Sequence, residues 1–141
     1  VPRAKYPAGG PRVDRMVVSE GRGVVGRCRD FVRACLDERG WLDGPGDEQR
    51  SVVEDVLLMT SELVTNACLH AGGPRQLVVS STGGRLRVEV EDGTDQPPVV
   101  RTAVPAHPGG HGLRVLQQLS RAWGCEPRED GKAVWFEIDR A

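Results

Sequence analysis

Glu62 and Asn66 stand one helical turn apart in SELVTNACLHAGGP, Ser61 to Pro74, and His70 follows a turn later before Gly72-Gly73-Pro74 ends the pattern. Residues four apart on a helix lie nearly above one another, so the carboxylate and the amide face one small volume. An asparagine oxygen there suits a Mg²⁺ ion that keeps several waters and takes its other ligands from phosphates. A glutamate one turn earlier is placed to take a proton from an attacking hydroxyl. Two more polar islands interrupt the apolar pattern. Asp92-Gly93 follows a strand-like run, and its carboxylate can accept a hydrogen bond from an exocyclic amine such as that of adenine. Gly109-Gly110-His111-Gly112 precedes Leu113 at the start of a helix. Unobstructed backbone N–H groups and the positive end of a helix dipole favour phosphate there. Each island alone has an ordinary reading as a solvated helix residue, a turn or a loop-shaping glycine run. Together they supply different needs of one nucleotide.

These residues require a frame. Val25, Cys28, Phe31, Val32, Cys35 and Leu36 recur at helical spacing until Gly40 and define a first helix. A second helix is expected from an N-cap near Asp47 to about Ala71, with Val53, Val56, Leu57, Thr60, Leu63, Val64 and Ala67 as its buried stripe. Val13 to Ser19 is a strand candidate. Gln76 to Ser81 and Arg85 to Glu91 are two more, joined as a hairpin at Thr82-Gly83-Gly84. In the second of these, Leu86, Val88 and Val90 alternate with charged residues, the pattern of a sheet covered on one face. Leu113, Val115, Leu116 and Leu119 define a third helix that ends before Trp123-Gly124, and KAVWFEI is the last strand. The sum is an α/β chain of the α+β kind, a two-layer sandwich whose mixed, mostly antiparallel sheet is covered on one face by helices. Val1 to Arg12 reads as a flexible lead-in and residues 13–141 as one domain. Between Thr94 and Gly109, Pro97, Pro98, Pro105 and Pro108 disfavour regular structure and suit a hinged lid.

Composition narrows the partners. The chain has 141 residues and a formal net charge of -1, which offers no global field for nucleic acid or an anionic membrane. No apolar run approaches the roughly 18 residues of a spanning helix, and no signal-peptide core opens the chain, so a soluble, cytoplasmic protein is expected. Cys28, Cys35, Cys68 and Cys125 lack Cys-x-x-Cys spacing and read as reduced thiols, with Cys28 and Cys35 on one helix face as small hydrophobes. No metal site made only of protein ligands is expected.

The order of motifs resembles that of the GHKL ATPases, which share the Bergerat fold. The matching features are Glu62-x-x-x-Asn66 on a helix, Asp92 at a strand end, Gly110-x-Gly112-Leu113 opening a helix, and a closing GKAVWFEI strand. SELVTNACLHA and GGHGLRVLQQLSRAWG resemble more narrowly the stand-alone ATP-binding proteins related to anti-sigma-factor serine/threonine kinases, abundant in actinobacteria. The resemblance spans roughly Val13 to Ile138. It implies Asn66 as the Mg²⁺ ligand alongside ATP phosphates, Glu62 as catalytic base, and Asp92 with Gly93 at the adenine end. Gly110, His111, Gly112 and Leu113 form the phosphate side. It further implies transfer of the γ-phosphate of Mg-ATP to a serine or threonine of an antagonist (anti-anti-sigma) protein, a sigma factor as a further partner, and a homodimer. Two departures from the family pattern stand out. Asp92 is followed by Gly93, Thr94, Asp95 and Gln96 in place of Asp-x-Gly-x-Gly, and Ala133 sits where relatives often carry a threonine. They favour an alternative, a catalytically weak or inactive module that acts by protein contact alone.

Overall fold

A computed structural model of the chain describes residues 10–44, 46–96 and 112–141. Five strands and three helices follow one another as β1 (Arg12–Val17), α1 (Val24–Glu38), α2 (Asp47–His70), β2 (Pro74–Thr82), β3 (Arg85–Asp92), α3 (Gly112–Leu119), β4 (Ala122–Arg128) and β5 (Gly131–Asp139). The strands form one sheet in the order β1-β2-β3-β5-β4. Every pairing among the described residues is antiparallel, so the expectation of a mixed sheet is corrected. Hairpins join β2 to β3 and β4 to β5, and such short links can connect only antiparallel neighbours.

Strand alternation decides which side of the sheet is covered. Leu77 and Val79 of β2, Leu86, Val88 and Val90 of β3, and Val134, Phe136 and Ile138 of β5 are in register on one face and buried. They pack in one cluster with Cys28, Val32, Cys35 and Leu36 of α1 and with Val56, Met59, Leu63 and Val64 of α2. Leu113 and Leu116 of α3 complete it. The opposite face carries Arg87, Glu89, Glu126 and Arg128 in mutual ion pairs. Burial holds the Cys28 and Cys35 thiols up at about 11 and leaves them small hydrophobes of the core.

Several boundaries differ from expectation for local reasons. Helix α2 begins with Asp47 as its first helical residue, and Gly46 takes the extended N-cap position. Asp47 and Glu48 act instead through their charge in the first turn. At the other end Gly72 and Gly73 adopt φ of 72° and 102°, and the Gly73 N–H donates to the Ala67 carbonyl, closing the helix. The stretch expected to end the third helix is strand β4. It passes through Trp123-Gly124 as the sheet edge, where Pro127 removes no needed ladder donor. A Cβ at Gly124 would lie 2.7 Å from the Trp135 ring, so glycine is what lets β4 pass that side chain. Among the described residues, no helix is long and apolar enough to cross a membrane.

Candidate functional site

The chain path brings distant residues to one end of the sandwich. His70 ends α2, and Ala71, Gly72 and Gly73 deliver the chain to Pro74, which pairs with Asp92. Asp92 pairs in turn with Lys132 at the start of β5. Helix α3 joins β4 through Ser120 and Arg121 at the level of Glu137, the far end of β5. It packs on α2 and β4.

On α2, Thr60 is fully buried and returns its hydroxyl to the Val56 carbonyl at 2.8 Å, while Ser61 does the same to Leu57 at 2.9 Å. Both hydroxyls are thereby satisfied within the helix. Glu62 and Asn66 flank it, half-buried, and neither side chain bonds to another described residue. His70 is exposed. An amide oxygen that is half-exposed and without a partner among the described residues fits a cation that needs one protein ligand and completes its shell with water and phosphate. Among the described residues, no three His, Cys, Asp or Glu side chains gather to hold a metal by themselves.

Asp92 has a partner that the sequence reading missed. By register it shares the helix-covered face with Leu86, Val88 and Val90, and Lys132 shares it with Val134 and Phe136. The two side chains meet in a buried ion pair, with Lys132 Nζ 2.9 Å from Asp92 Oδ2 and 3.0 Å from Oδ1. The Thr94 N–H donates to Asp92 Oδ1 at 3.0 Å, and the Gln96 N–H donates to Thr94 Oγ1 at 3.3 Å. Thr94 and Gln96, departures from the family pattern, thus form a turn that the Asp92 carboxylate anchors. Ala133 pairs with Glu91 and lies fully buried on the opposite face from Asp92. Strand alternation thus aims Lys132, not Ala133, at Asp92.

The glycines here have packing reasons. A Cβ at Gly131 would lie 1.9 Å from the Asp92 carbonyl oxygen, so glycine alone permits β3 and β5 to approach as they do. Gly93 is exposed and faces the Arg75 guanidinium, with a would-be Cβ 2.5 Å from Arg75 Nη2; that side chain reaches on to the Asp130 carbonyl at 3.1 Å. Cys125, on β4 opposite Val134, also neighbours the pair. Partial desolvation raises its thiol pKa, Lys132 pulls it down and Asp92 pushes it up. Gly110 and His111, with the proposed lid apart from Thr94, Asp95 and Gln96, lie outside the described residues. Compared with protein-family models and with curated proteins, the chain finds no match.

Proposed function

We propose that the chain is an ATP-binding regulatory protein that resembles the anti-sigma-factor kinases and transfers the γ-phosphate of Mg-ATP to a serine or threonine of a small antagonist protein. The supporting observation is the pair Glu62 and Asn66, one turn apart, half-exposed and unpartnered among the described residues, on the helix that leads to the Asp92 end of the sheet. Asn66 would hold Mg²⁺, which supplies charge neutralisation at the phosphates. Glu62 would receive the proton of the attacking hydroxyl, and the start of α3 would lie on the phosphate side. A sigma factor and a second copy of the chain are further partners of this reading. One observation favours the alternative of a binding module acting by contact alone: the Asp92 carboxylate is already engaged by Lys132 and Thr94.

Calorimetric titration with ATP, with and without Mg²⁺, tests the reading before any partner is known. Wild type should bind ATP more tightly with Mg²⁺, and Asn66→Ala should lose that increment while unfolding at the wild-type temperature. Glu62→Gln should bind Mg-ATP normally and lose transfer of labelled γ-phosphate to candidate antagonists by about a hundred- to ten-thousandfold. Unchanged Mg²⁺ dependence in Asn66→Ala would make Asn66 a surface residue. ATP binding without transfer to any antagonist would select the binding module.

A further inference from the structure

Asp92 and Lys132 leave just enough hydrogen-bonding capacity to read a base edge. Both residues are more than nine-tenths buried, at 4% and 6% exposure. An ammonium carries three N–H donors. Lys132 donates one to Asp92 Oδ1 at 3.0 Å, with Nζ also 2.9 Å from Oδ2 in the ion pair, and its remaining N–H groups meet no other acceptor among the described residues. An ionised carboxylate offers about four acceptor positions. Lys132 and the Thr94 N–H both donate to Oδ1, and Oδ2 takes no hydrogen bond from a described residue. A buried pair that only tied β3 to β5 would gain by saturating both groups, because an unused polar group out of water is costly. Here unused donor capacity on Lys132 stands beside the Asp92 Oδ2 acceptor, on the sheet face that also carries the apolar Val90 and Val134.

We infer that Lys132 is a second base-reading residue, donating to a ring nitrogen while Asp92 accepts from the neighbouring exocyclic amine. The inference rests on the nucleotide reading above and narrows it. One acceptor beside one donor is the amidine edge of adenine, with N1 to Lys132 Nζ and the 6-amino group to Asp92. Hypoxanthine presents the reverse, an exocyclic carbonyl beside a ring N–H, which would have to exchange the two roles. Lys132 is thus a specificity-determining residue.

The test is calorimetric titration of the whole chain with ATP, 1-deaza-ATP, in which a C–H replaces N1, and ITP. Wild type should bind ATP about ten- to a hundredfold more tightly than 1-deaza-ATP, the range for one hydrogen bond from a charged donor. ITP should also bind more weakly than ATP. Lys132→Met, shown folded by its thermal transition, should bind ATP and 1-deaza-ATP with one equal, weakened affinity. Equal wild-type binding of ATP and 1-deaza-ATP overturns the inference without any variant. So does a Lys132→Met protein that still prefers ATP, or ITP that binds as well as ATP. ATP binding without dependence on N1 sinks the role of Lys132 alone, whereas no binding of any of the three to wild type sinks the nucleotide reading with it.

Discussion

The helix-covered face of the sheet is closed at each end by a buried cation beside an aspartate, and the two ends are built differently. At the β1 end, every nitrogen of the Arg39 guanidinium is engaged. Nε donates to Ser81 Oγ at 2.7 Å, and Nη1 meets Asp14 at 2.9 Å and the Cys35 carbonyl at 3.1 Å. Nη2 reaches the carbonyls of Val79 and Arg12 at 3.4 and 3.5 Å. Asp14 is itself more than a quarter exposed and is shared with Arg12 at 3.2 Å. At the other end Lys132 has Asp92 alone among the described residues, with both side chains almost wholly out of water. A saturated guanidinium is a strut. A buried pair with hydrogen-bonding capacity unused by the described residues is a strut of a different kind.

The largest effect should come from breaking the dry end. Lys132→Met leaves the Asp92 carboxylate without its counter-charge, and removal of one partner of such a pair costs about 3–5 kcal/mol. Urea unfolding at neutral pH measures it. The double substitution Asp92→Leu, Lys132→Met should regain most of that loss, since an apolar replacement of the whole pair leaves no buried charge. A single-variant loss below about 1 kcal/mol, the ceiling for exposed pairs, would mean that water reaches Asp92 and that the contrast between the ends is mistaken.

The Arg39 end should lose less in spite of its larger number of hydrogen bonds. Arg39→Met leaves Asp14 partly hydrated and still paired with Arg12, so the cost is that of unmade hydrogen bonds, about 1–3 kcal/mol. The same urea experiment ranks the two variants side by side. A greater loss from Arg39→Met than from Lys132→Met would reverse the comparison.

Much of this frame was legible before any coordinates. Period alone located α1, α2 and the β2–β3 hairpin, because their apolar residues recur at spacings that only one backbone type brings to one face. Strand β4 was not legible, since AWGCEPR has no alternation and contains Gly124 and Pro127. Its strand character comes from pairing with β5, a tertiary effect. Glu62 and Asn66 were legible from helical spacing as neighbours, but their lack of partners among the described residues required the packed structure. The Asp92–Lys132 pair needs the β3–β5 register to bring together residues 40 apart. A signal was nevertheless present. Lys132 is in phase with Val134, Phe136 and Ile138, as Asp92 is with Leu86, Val88 and Val90, and a charge in phase with a buried face demands a partner.

The open face supplies the baseline for both ends, and with it the smallest expected effect. There Arg87 and Arg128 share Glu126 at 3.0 and 3.1 Å, and Arg87 stacks 4.0 Å over the Trp135 ring. Hydrogen bonds from Arg87, then Arg128, hold the Glu126 carboxyl below its ordinary value. A folded-state value that is depressed contributes stability above the unfolded value and loses it as pH falls through the folded one. The Glu126 side chain is 43% exposed, so solvent screens most of the interaction and Glu126→Gln should cost no more than about 1 kcal/mol at neutral pH. The difference between wild type and Glu126→Gln should shrink as pH drops below the ordinary glutamate value of about 4.3 and disappear once it has fallen through the depressed folded value, where both side chains are neutral. Salt of about 1 M, with a Debye length near 3 Å, should shrink it further at neutral pH. Urea midpoints across pH and salt provide the measurement. A loss that stayed constant under both would come from packing over Trp135 rather than from charge, and the open face would then be no baseline for the buried pairs at the two ends.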